Sequence, residues 1–279
     1  MKISFSTLAC PSWNLDAVVA AALREGFDGI ELRFIESDDR LWQRPEFSGA
    51  SLRATCQRLK EAGLEIPCLD TSCFFHHPEA ARRREAVQMG RAMIELAAEL
   101  GAPGIRVFGD RVQPGADCAS TAAWIAEGVR ELADFGEPLR VQVWLESHGD
   151  FACARDTVQV LDAAGSANTG VVWDPANAFS EFGEEPRQGL EVLGVRIRHV
   201  HIKDARPPRD NAPGKLWDPV LMGEGQFPAQ TLVDLLERAG YGGFVSFEWE
   251  KRWHPEIPEP EVAVPHFMRW MRAALASTR

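Results

Sequence analysis

Short apolar runs and longer amphipathic segments alternate along the whole chain, eight of each. Short apolar runs predict strands, and segments with helical apolar periodicity predict helices. The predicted strands are 3–8, 29–34, 65–72, 105–109, 141–147, 169–174, 197–204 and 243–250. The predicted helices are 15–25, 48–62, 79–100, 119–135, 155–164, 187–193, 229–239 and 261–275. Strands separated by helices of this length form βαβ units and therefore a parallel sheet.

Glycines mark the ends of the predicted helices. A helix end favours a residue that tolerates a positive φ. Seven predicted helices are followed by such a residue: Gly26, Gly63, Gly101, Gly136, Gly165, Gly194 and Gly240. Eight βα units favour a closed (β/α)8 barrel, the TIM barrel, as a single α/β domain over residues 1–279. The alternative is a doubly wound open sheet, which favours a Gly-rich phosphate turn, and the sequence has neither Gly-x-Gly-x-x-Gly nor a P-loop.

Charge and hydropathy limit the partners. The 279 residues carry 30 Lys+Arg and 41 Asp+Glu, a net charge of −11, which argues against nucleic acid and anionic membranes as partners. No apolar run approaches the roughly 18 residues of a membrane span, and the first residues lack the apolar core of a signal peptide. We therefore expect a cytoplasmic protein whose six cysteines are free thiols.

Polar residues interrupt four consecutive predicted strands near their carboxyl ends, where barrel enzymes place their catalytic residues. Glu146, Asp174, His201 and Glu248 occupy these positions on the fifth to eighth strands. Adjacent strands lie about 4.8 Å apart, so four neighbouring strand ends can converge on one point. Three carboxylates held together repel one another unless a cation neutralises them. The oxygen-rich set with one imidazole favours Mn²⁺, Mg²⁺ or Co²⁺, with Zn²⁺ as a further candidate.

Each of these residues also has an ordinary structural interpretation. A carboxylate at a strand end can cap a helix, and a strand histidine can be a hydrogen-bonded core residue. His199 shares a strand face with His201 and is interpreted either as its hydrogen-bonding partner or as a packing residue. The pair His76 and His77 is expected at the surface. The irregular segment 205–227 follows the seventh strand, and we expect it to overhang the carboxyl end of the barrel.

At these residues the sequence resembles the sugar phosphate isomerase/epimerase family, the xylose isomerase-like TIM barrels. The resemblance spans nearly the whole chain and keeps the motif order. Its carriers are Cys10-Pro11-Ser12-Trp13-Asn14-Leu15, Gly26-Phe27-Asp28-Gly29-Ile30-Glu31-Leu32-Arg33, Ile105-Arg106-Val107-Phe108-Gly109, Leu145-Glu146-Ser147-His148-Gly149, Asp174-Pro175-Ala176-Asn177, His199-Val200-His201-Ile202-Lys203-Asp204, Gly223-Glu224-Gly225 and Phe247-Glu248-Trp249-Glu250.

The resemblance implies one divalent metal ion held by the four strand-end residues. Sugar epimerases of the family place a substrate-binding histidine where this chain has Asn177, which we retain as a candidate substrate contact. Lys203 and Asp204 look more like the inosose dehydratase and hydroxypyruvate isomerase branches. Glu31, paired with Arg33, matches positions that usually face the pocket, so Glu31 is a further candidate contact.

The chemistry follows from these parts. A hydroxyketone or hydroxyaldehyde would chelate the metal, which would polarise the carbonyl and stabilise an enediolate. Glu146 and Glu248 are the predicted catalytic pair, one removing a proton and the other returning it. His148, Lys203 and Arg106 are predicted polar contacts to the sugar, and Trp13 and Phe108 are candidate apolar walls.

Three outcomes are open for this intermediate. Return of the proton to the neighbouring carbon is isomerisation, return to the opposite face is epimerisation, and loss of a β-hydroxyl is dehydration of the inosose type. An apurinic endonuclease-like phosphodiesterase shares the fold, but Arg106, Asn177 and the negative charge disfavour it. We expect a small sugar or polyol-derived substrate. The apolar segment 265–271 is interpreted as part of a packed last helix or as the contact face of a homo-oligomer.

Overall fold

A computed structural model describes residues 1–208 and 217–277 of the chain. Eight parallel strands form one sheet: β1 (Lys2–Ser6), β2 (Gly29–Glu31), β3 (Leu69–Phe74), β4 (Gly104–Phe108), β5 (Gln142–Glu146), β6 (Thr169–Trp173), β7 (Ile197–Ile202) and β10 (Phe244–Phe247). Their order in the sheet is β2-β1-β10-β7-β6-β5-β4-β3. Bridges from Gly29 to Glu65 and from Leu32 to Leu69 join the two sheet ends, so the sheet closes into a barrel. The prediction of a (β/α)8 barrel is confirmed.

Helices surround the sheet and bury one face each against it. In the described residues they are α1 (Leu15–Glu25), α2 (Gly49–Glu61), α3 (Ala80–Leu100), α4 (Cys118–Gly136), α5 (Ala154–Ala164), α6 (Pro175–Phe182), α7 (Pro186–Leu193), α8 (Ala229–Arg238) and α9 (Pro260–Ser277). Asn14 begins α1 by accepting the Ala17 N–H at 2.9 Å, and Gly26 ends it in the left-handed conformation. None of these helices is long and apolar enough to cross a membrane.

Two sequence expectations differ from the observed helices. Gly136 does not end α4 with a positive φ: its backbone is helical, and a side chain there would lie 2.4 Å from the Val141 carbonyl oxygen. The glycine is therefore required by close approach. Helix α6 was not predicted, because Pro175 suggested only the end of a strand. It begins at Asp174, whose carboxylate accepts the N–H of Ala176 at 3.0 Å, with Pro175 in the first turn.

The connection after β7 contains more structure than the sequence indicates. Strands β8 (Asp204–Arg206) and β9 (Asp218–Val220) pair antiparallel, and the part of the predicted irregular segment between 209 and 216 lies outside the described residues. The carboxylate of Asp204 accepts the backbone N–H groups of Gly223 and Gly225, both at 2.9 Å. This carboxylate fixes the chain as it returns from β9 toward α8.

The barrel interior is polar toward the carboxyl ends of the strands, and an apolar layer lies below part of it, beside the buried His199. Trp144 lies two residues before Glu146 on β5 and therefore points to the same face, one layer lower. Cys68, Trp144 and Val172 pack together there, all buried. Gly104 makes room for the indole, because a side chain at that position would lie 2.5 Å from it. These three side chains fill part of the barrel interior beneath the polar residues.

The last helix and the cysteines also bear on the sequence expectations. Phe267, Met268 and Met271 of α9 are buried in the core, so these residues of the 265–271 segment pack within the chain. All six cysteines are free thiols, as predicted. His76, expected at the surface, is buried: its Nδ1 lies 3.1 Å from the Gly109 carbonyl oxygen, and its ring contacts that of Phe74.

Candidate active site

The four predicted strand-end residues meet in the barrel interior. Glu146 is the last residue of β5, Asp174 follows β6, His201 lies in β7 and Glu248 follows β10. One ligand atom from each lies within 4.8 Å of those of the others, and all four side chains are buried. The alternation of strand residues and the shared level of the strand ends explain this convergence.

The ring of His201 is held from both sides. Its Nδ1 faces the two glutamates, 3.6 Å from Glu146 Oε1 and 3.4 Å from Glu248 Oε1. Its Nε2 lies 3.1 Å from Glu31 Oε1, and the other oxygen of Glu31 contacts His199 Nε2. His199 therefore reaches His201 only through Glu31, and its ring also packs against that of Trp144, so it combines parts of both interpretations. Glu31 lies between the two histidines and fixes which nitrogen of His201 points at the glutamates.

The donor atoms suit a divalent cation. His201 Nδ1 is buried without a hydrogen-bond partner, which is a costly state for a polar atom. Glu146 Oε2 and Asp174 Oδ2 are also buried without a hydrogen bond, although each lies near a cationic side chain. Three carboxylates and one imidazole in this arrangement could hold a metal ion through these atoms.

Arg106 supplies positive charge on one side of the cluster. Its Nε lies 3.2 Å from Glu146 Oε2, and its Nη2 lies 3.1 Å from Asp70 Oδ2. Burial opposes the ionisation of Glu146, but the Arg106 guanidinium and the His201 ring outweigh it and lower the pKa of Glu146 to about 2. Glu146 is therefore held as a carboxylate. Arg106 also stacks on the Phe108 ring, with its guanidinium carbon 3.7 Å from the ring centre.

Lys203 supplies positive charge on the other side. Its Nζ lies 2.8 Å from Asp174 Oδ2, 2.7 Å from Glu248 Oε2 and 2.7 Å from Glu250 Oε1. Burial disfavours the ammonium, but these carboxylates hold the pKa of Lys203 well above its usual value. Burial also raises the pKa of Glu248 to about 7, although Lys203 and His201 oppose the rise. The two glutamates thus sit in electrostatically different environments.

A cavity of about 290 Å³ opens above the cluster. Its charged and polar lining comprises Arg33, Arg106, Asp110, Glu146, His148, Lys203, Glu248 and Glu250. Leu8, Phe74, Phe108 and Trp253 form its apolar and aromatic walls. His148 Nδ1 lies 3.2 Å from Asp110 Oδ1, which orients the imidazole at the cavity wall. A space of this kind, with aromatic walls and a few charged groups, is typical of small-molecule sites.

Some predicted substrate contacts lie at the cavity and others do not. His148, Lys203 and Arg106 line it, as does the candidate wall residue Phe108. The structure places Glu31 beneath the cluster, because its carboxylate is taken up by the two histidines. Asn177 lies in the first turn of α6, where its Nδ2 donates to the Ser147 carbonyl oxygen at 3.2 Å.

Sequence reasoning missed several residues of the cavity. Trp253 and Asp110 come from connections after strands, where no periodicity marks them. Glu250 carried a signal, since it shares a strand face with Glu248. Asp70 contacts the cavity residue Arg106 from beside the cavity, and it precedes two further polar residues in β3, so no interruption of an apolar run marked it. Burial raises the pKa of Asp70 to about 8, although Arg106 opposes this.

Comparison with known proteins shows which family this chain belongs to. The sequence model of the family described as xylose isomerase-like TIM barrel matches residues 19–274. The chain belongs to that family. This chain is similar to SgbU of Escherichia coli K12, which is named as a candidate L-ribulose-5-phosphate 3-epimerase. The two sequences are 26% identical over 95% of this chain and 92% of SgbU.

Solved structures share the fold of this xylose isomerase-like barrel. An L-ribulose 3-epimerase aligns with a TM-score of 0.80 at 16% identity, over 100% of this chain and 95% of that one. The IolI protein with a bound zinc atom aligns with a TM-score of 0.79 at 18% identity, over 100% and 98% of the two chains. At these identities the likeness concerns the fold alone.

The contact between Glu31 and His201 leads to a testable expectation. The Glu31→Gln variant loses the negative charge that fixes the imidazole, so we expect its affinity for Mn²⁺ to fall by about 10–100-fold. Titration calorimetry measures the affinity, and ¹⁵N NMR of the histidine rings should show a changed tautomer at His201. Glu65→Gln, at an exposed carboxylate paired with Lys2, is the matched control. Equal Mn²⁺ affinity in both variants would contradict the orienting role.

Proposed function

We propose that this protein is a divalent-metal-dependent isomerase or epimerase of sugars or sugar-like hydroxyketones. One observation carries the proposal: Glu146 and Glu248 face the same histidine nitrogen and line the same cavity. A pair of carboxylates on one small cavity suits proton removal and proton return at neighbouring positions of a bound substrate. The epimerase name given to SgbU supports the same class of reaction.

The metal would be held by Glu146, Asp174, His201 and Glu248. When bound, a divalent cation polarises a substrate carbonyl and stabilises the negative charge that develops on the adjacent oxygens. Mn²⁺, Mg²⁺ and Co²⁺ are the preferred candidates, because three of the four donors are carboxylates. Zn²⁺ is a further candidate, and the zinc atom in the IolI structure supports it.

Side chains of the protein carry out the proton transfers and contact the substrate. We assign removal of the proton from the carbon next to the carbonyl to one glutamate, and this step forms the enediolate. The other glutamate returns a proton and converts the enediolate to product. Arg106 keeps Glu146 ionised through the 3.2 Å contact to Oε2. His148 and Lys203 offer an imidazole and an ammonium to substrate hydroxyl groups at the cavity wall. Phe108 and Trp253 shield the site from water on the apolar side.

Dehydration is the second candidate reaction, and the position of Lys203 favours it. The ammonium touches Glu248 and lines the cavity, so it lies where a proton donor could assist departure of a β-hydroxyl as water. A phosphodiesterase of the apurinic endonuclease type is disfavoured by the Arg106 and Asn177 positions and by the net charge of −11.

We further propose one cytoplasmic domain over residues 1–279 without nucleic-acid or membrane partners.

Deuterium exchange tests the proposal directly. The metal-loaded protein is incubated in D₂O with ketoses, inosose and hydroxypyruvate, and NMR follows the label. We expect exchange at the carbon next to the carbonyl for at least one compound. The product then distinguishes the reactions: an aldose or a shifted carbonyl shows isomerisation, an inverted centre shows epimerisation, and a product that has lost a hydroxyl group shows dehydration. Absence of exchange with every member of the panel would contradict the proposed function.

A further inference from the structure

Most cationic groups that line the cavity are neutralised by carboxylates. Lys203 contacts Asp174, Glu248 and Glu250 at 2.7–2.8 Å. Arg106 contacts Asp70 and Glu146 at 3.1 and 3.2 Å, and His148 contacts Asp110 at 3.2 Å. An anionic group entering the cavity would have to compete with these carboxylates for each of the three cations.

Arg33 is different. It lines the same cavity, and its side chain is only 4% exposed. Its Nη2 donates to Ser72 Oγ at 2.7 Å, but its Nη1 is buried and has no hydrogen-bond partner within the described residues. Asp39 Oδ2 forms an ion pair with Nη1 at 3.6 Å, which is longer than the contacts of the other three cations and beyond hydrogen-bonding distance.

The guanidinium of Arg33 is fixed before any ligand arrives. Ser72 accepts from Nη2 and donates its own hydrogen to Asp39 Oδ2 at 2.6 Å, so Asp39 is drawn toward the serine. The guanidinium carbon also lies 4.4 Å from the centre of the Phe34 ring. Burial and the neighbouring Arg106 lower the pKa of Arg33 only to about 10, so the group is cationic at neutral pH. A rigid, charged donor loses little conformational entropy when it binds.

We propose that Arg33 binds an anionic group of the substrate, a carboxylate or a phosphate ester, through Nη1, which makes no hydrogen bond within the described residues. A planar guanidinium matches the geometry of both oxyanions, and charge-assisted hydrogen bonds of this kind are strong. The inference rests on the proposed function and narrows it to sugars or polyol derivatives that carry an oxyanion. A purely structural arginine buried to this degree would be expected to have its donors satisfied.

The experiment compares three ketoses that differ in charge. These are L-ribulose, L-ribulose 5-phosphate and a keto-uronate that carries a terminal carboxylate. In the Mn²⁺-loaded wild type we expect a lower KM for one of the two anionic compounds than for L-ribulose, and that compound identifies the oxyanion. In Arg33→Gln we expect the KM for it to rise by about 10–100-fold, since a hydrogen bond to a charged group is lost. The KM for L-ribulose should stay within about twofold.

The control and a second readout keep the result specific. Arg40→Gln removes an exposed arginine from the same connection and should match the wild type with all three compounds. Titration calorimetry with inorganic phosphate should detect binding to the wild type and to Arg40→Gln but not to Arg33→Gln. If Arg33→Gln does not reach the wild-type thermal midpoint, Ser72→Ala replaces it. That variant frees Nη2, and we expect a severalfold rise in KM for the anionic ketose alone.

Failure of the anion site and failure of the proposed function would give different results. If exchange occurs but Arg33→Gln or its replacement Ser72→Ala changes the KM for charged and neutral ketoses equally, the anion site is wrong. Equal binding of phosphate by the wild type and Arg33→Gln would also overturn it. If no ketose exchanges deuterium while phosphate binding still requires Arg33, the proposed function fails and the anion site stands.

Discussion

Glu146→Gln and Glu248→Gln are each expected to lower deuterium exchange into the substrate by about 10²–10⁴-fold, the contribution typical of a positioned acid or base. Glutamine keeps an oxygen that can remain near the cation, but it neither accepts nor returns a proton at neutral pH. The loss should therefore appear in the rate of exchange rather than in substrate binding. NMR in D₂O measures it for each variant under saturating substrate.

Metal content must be controlled in this comparison, because both residues are also proposed ligands. Elemental analysis of each variant gives its bound metal, and rates are expressed per metal-loaded chain. Glu65→Gln provides the matched control, since Glu65 is an exposed carboxylate paired with Lys2 and lies outside the cluster. Wild-type exchange rates in both Glu146→Gln and Glu248→Gln would refute the two-glutamate mechanism.

Removal of divalent cations is expected to abolish exchange and to lower the thermal midpoint. A ligand that binds only the native state at about 100 times its Kd stabilises it by about 2.7 kcal/mol, which corresponds to a shift of roughly 5–10 °C for a chain of this size. Re-addition of Mn²⁺ should restore both. His201→Ala removes the imidazole donor and should lose this metal-dependent shift.

Binding of the divalent cation should depend on pH in a defined direction. In the metal-free protein burial raises the pKa of Glu248 to about 7, and Glu31 and Glu248 raise the pKa of His201 despite its burial. Cation binding requires both groups without their protons. Apparent Mn²⁺ affinity should therefore fall as the pH decreases through the raised pKa of His201, and further below about 7 as Glu248 takes up a proton, with protons released on binding. If the midpoint and the exchange rate are unaffected by chelation at any pH, the four-residue metal site is wrong.

The ligand positions were accessible from the sequence because strand periodicity and strand ends are local properties. Glu146, Asp174, His201 and Glu248 each lie at or near the carboxyl end of a recognisable strand, and parallel strands bring their ends to one level. The metal-binding role itself stays a prediction. Helix α6 was missed because a proline after an aspartate marks the end of a strand and the start of a helix equally well.

The surroundings of the ligands could not be derived in this way. Glu31 belongs to β2 and His201 to β7, which are separated in the sheet by β1 and β10. Their contact crosses the barrel interior and depends on its closure, which no local pattern specifies. That Nη1 of Arg33 makes no hydrogen bond within the described residues depends in the same way on where Ser72 and Asp39 lie after folding.

The apolar layer of Cys68, Trp144 and Val172 beneath the cluster has a consequence for turnover. These side chains fill part of the barrel below the site, and Glu146 and Glu248 line the cavity above it, so we expect molecules to reach the cluster through that cavity. Substrate and product then enter and leave through the same opening, and each excludes the other while it occupies the cavity. Product should therefore inhibit by direct competition with substrate.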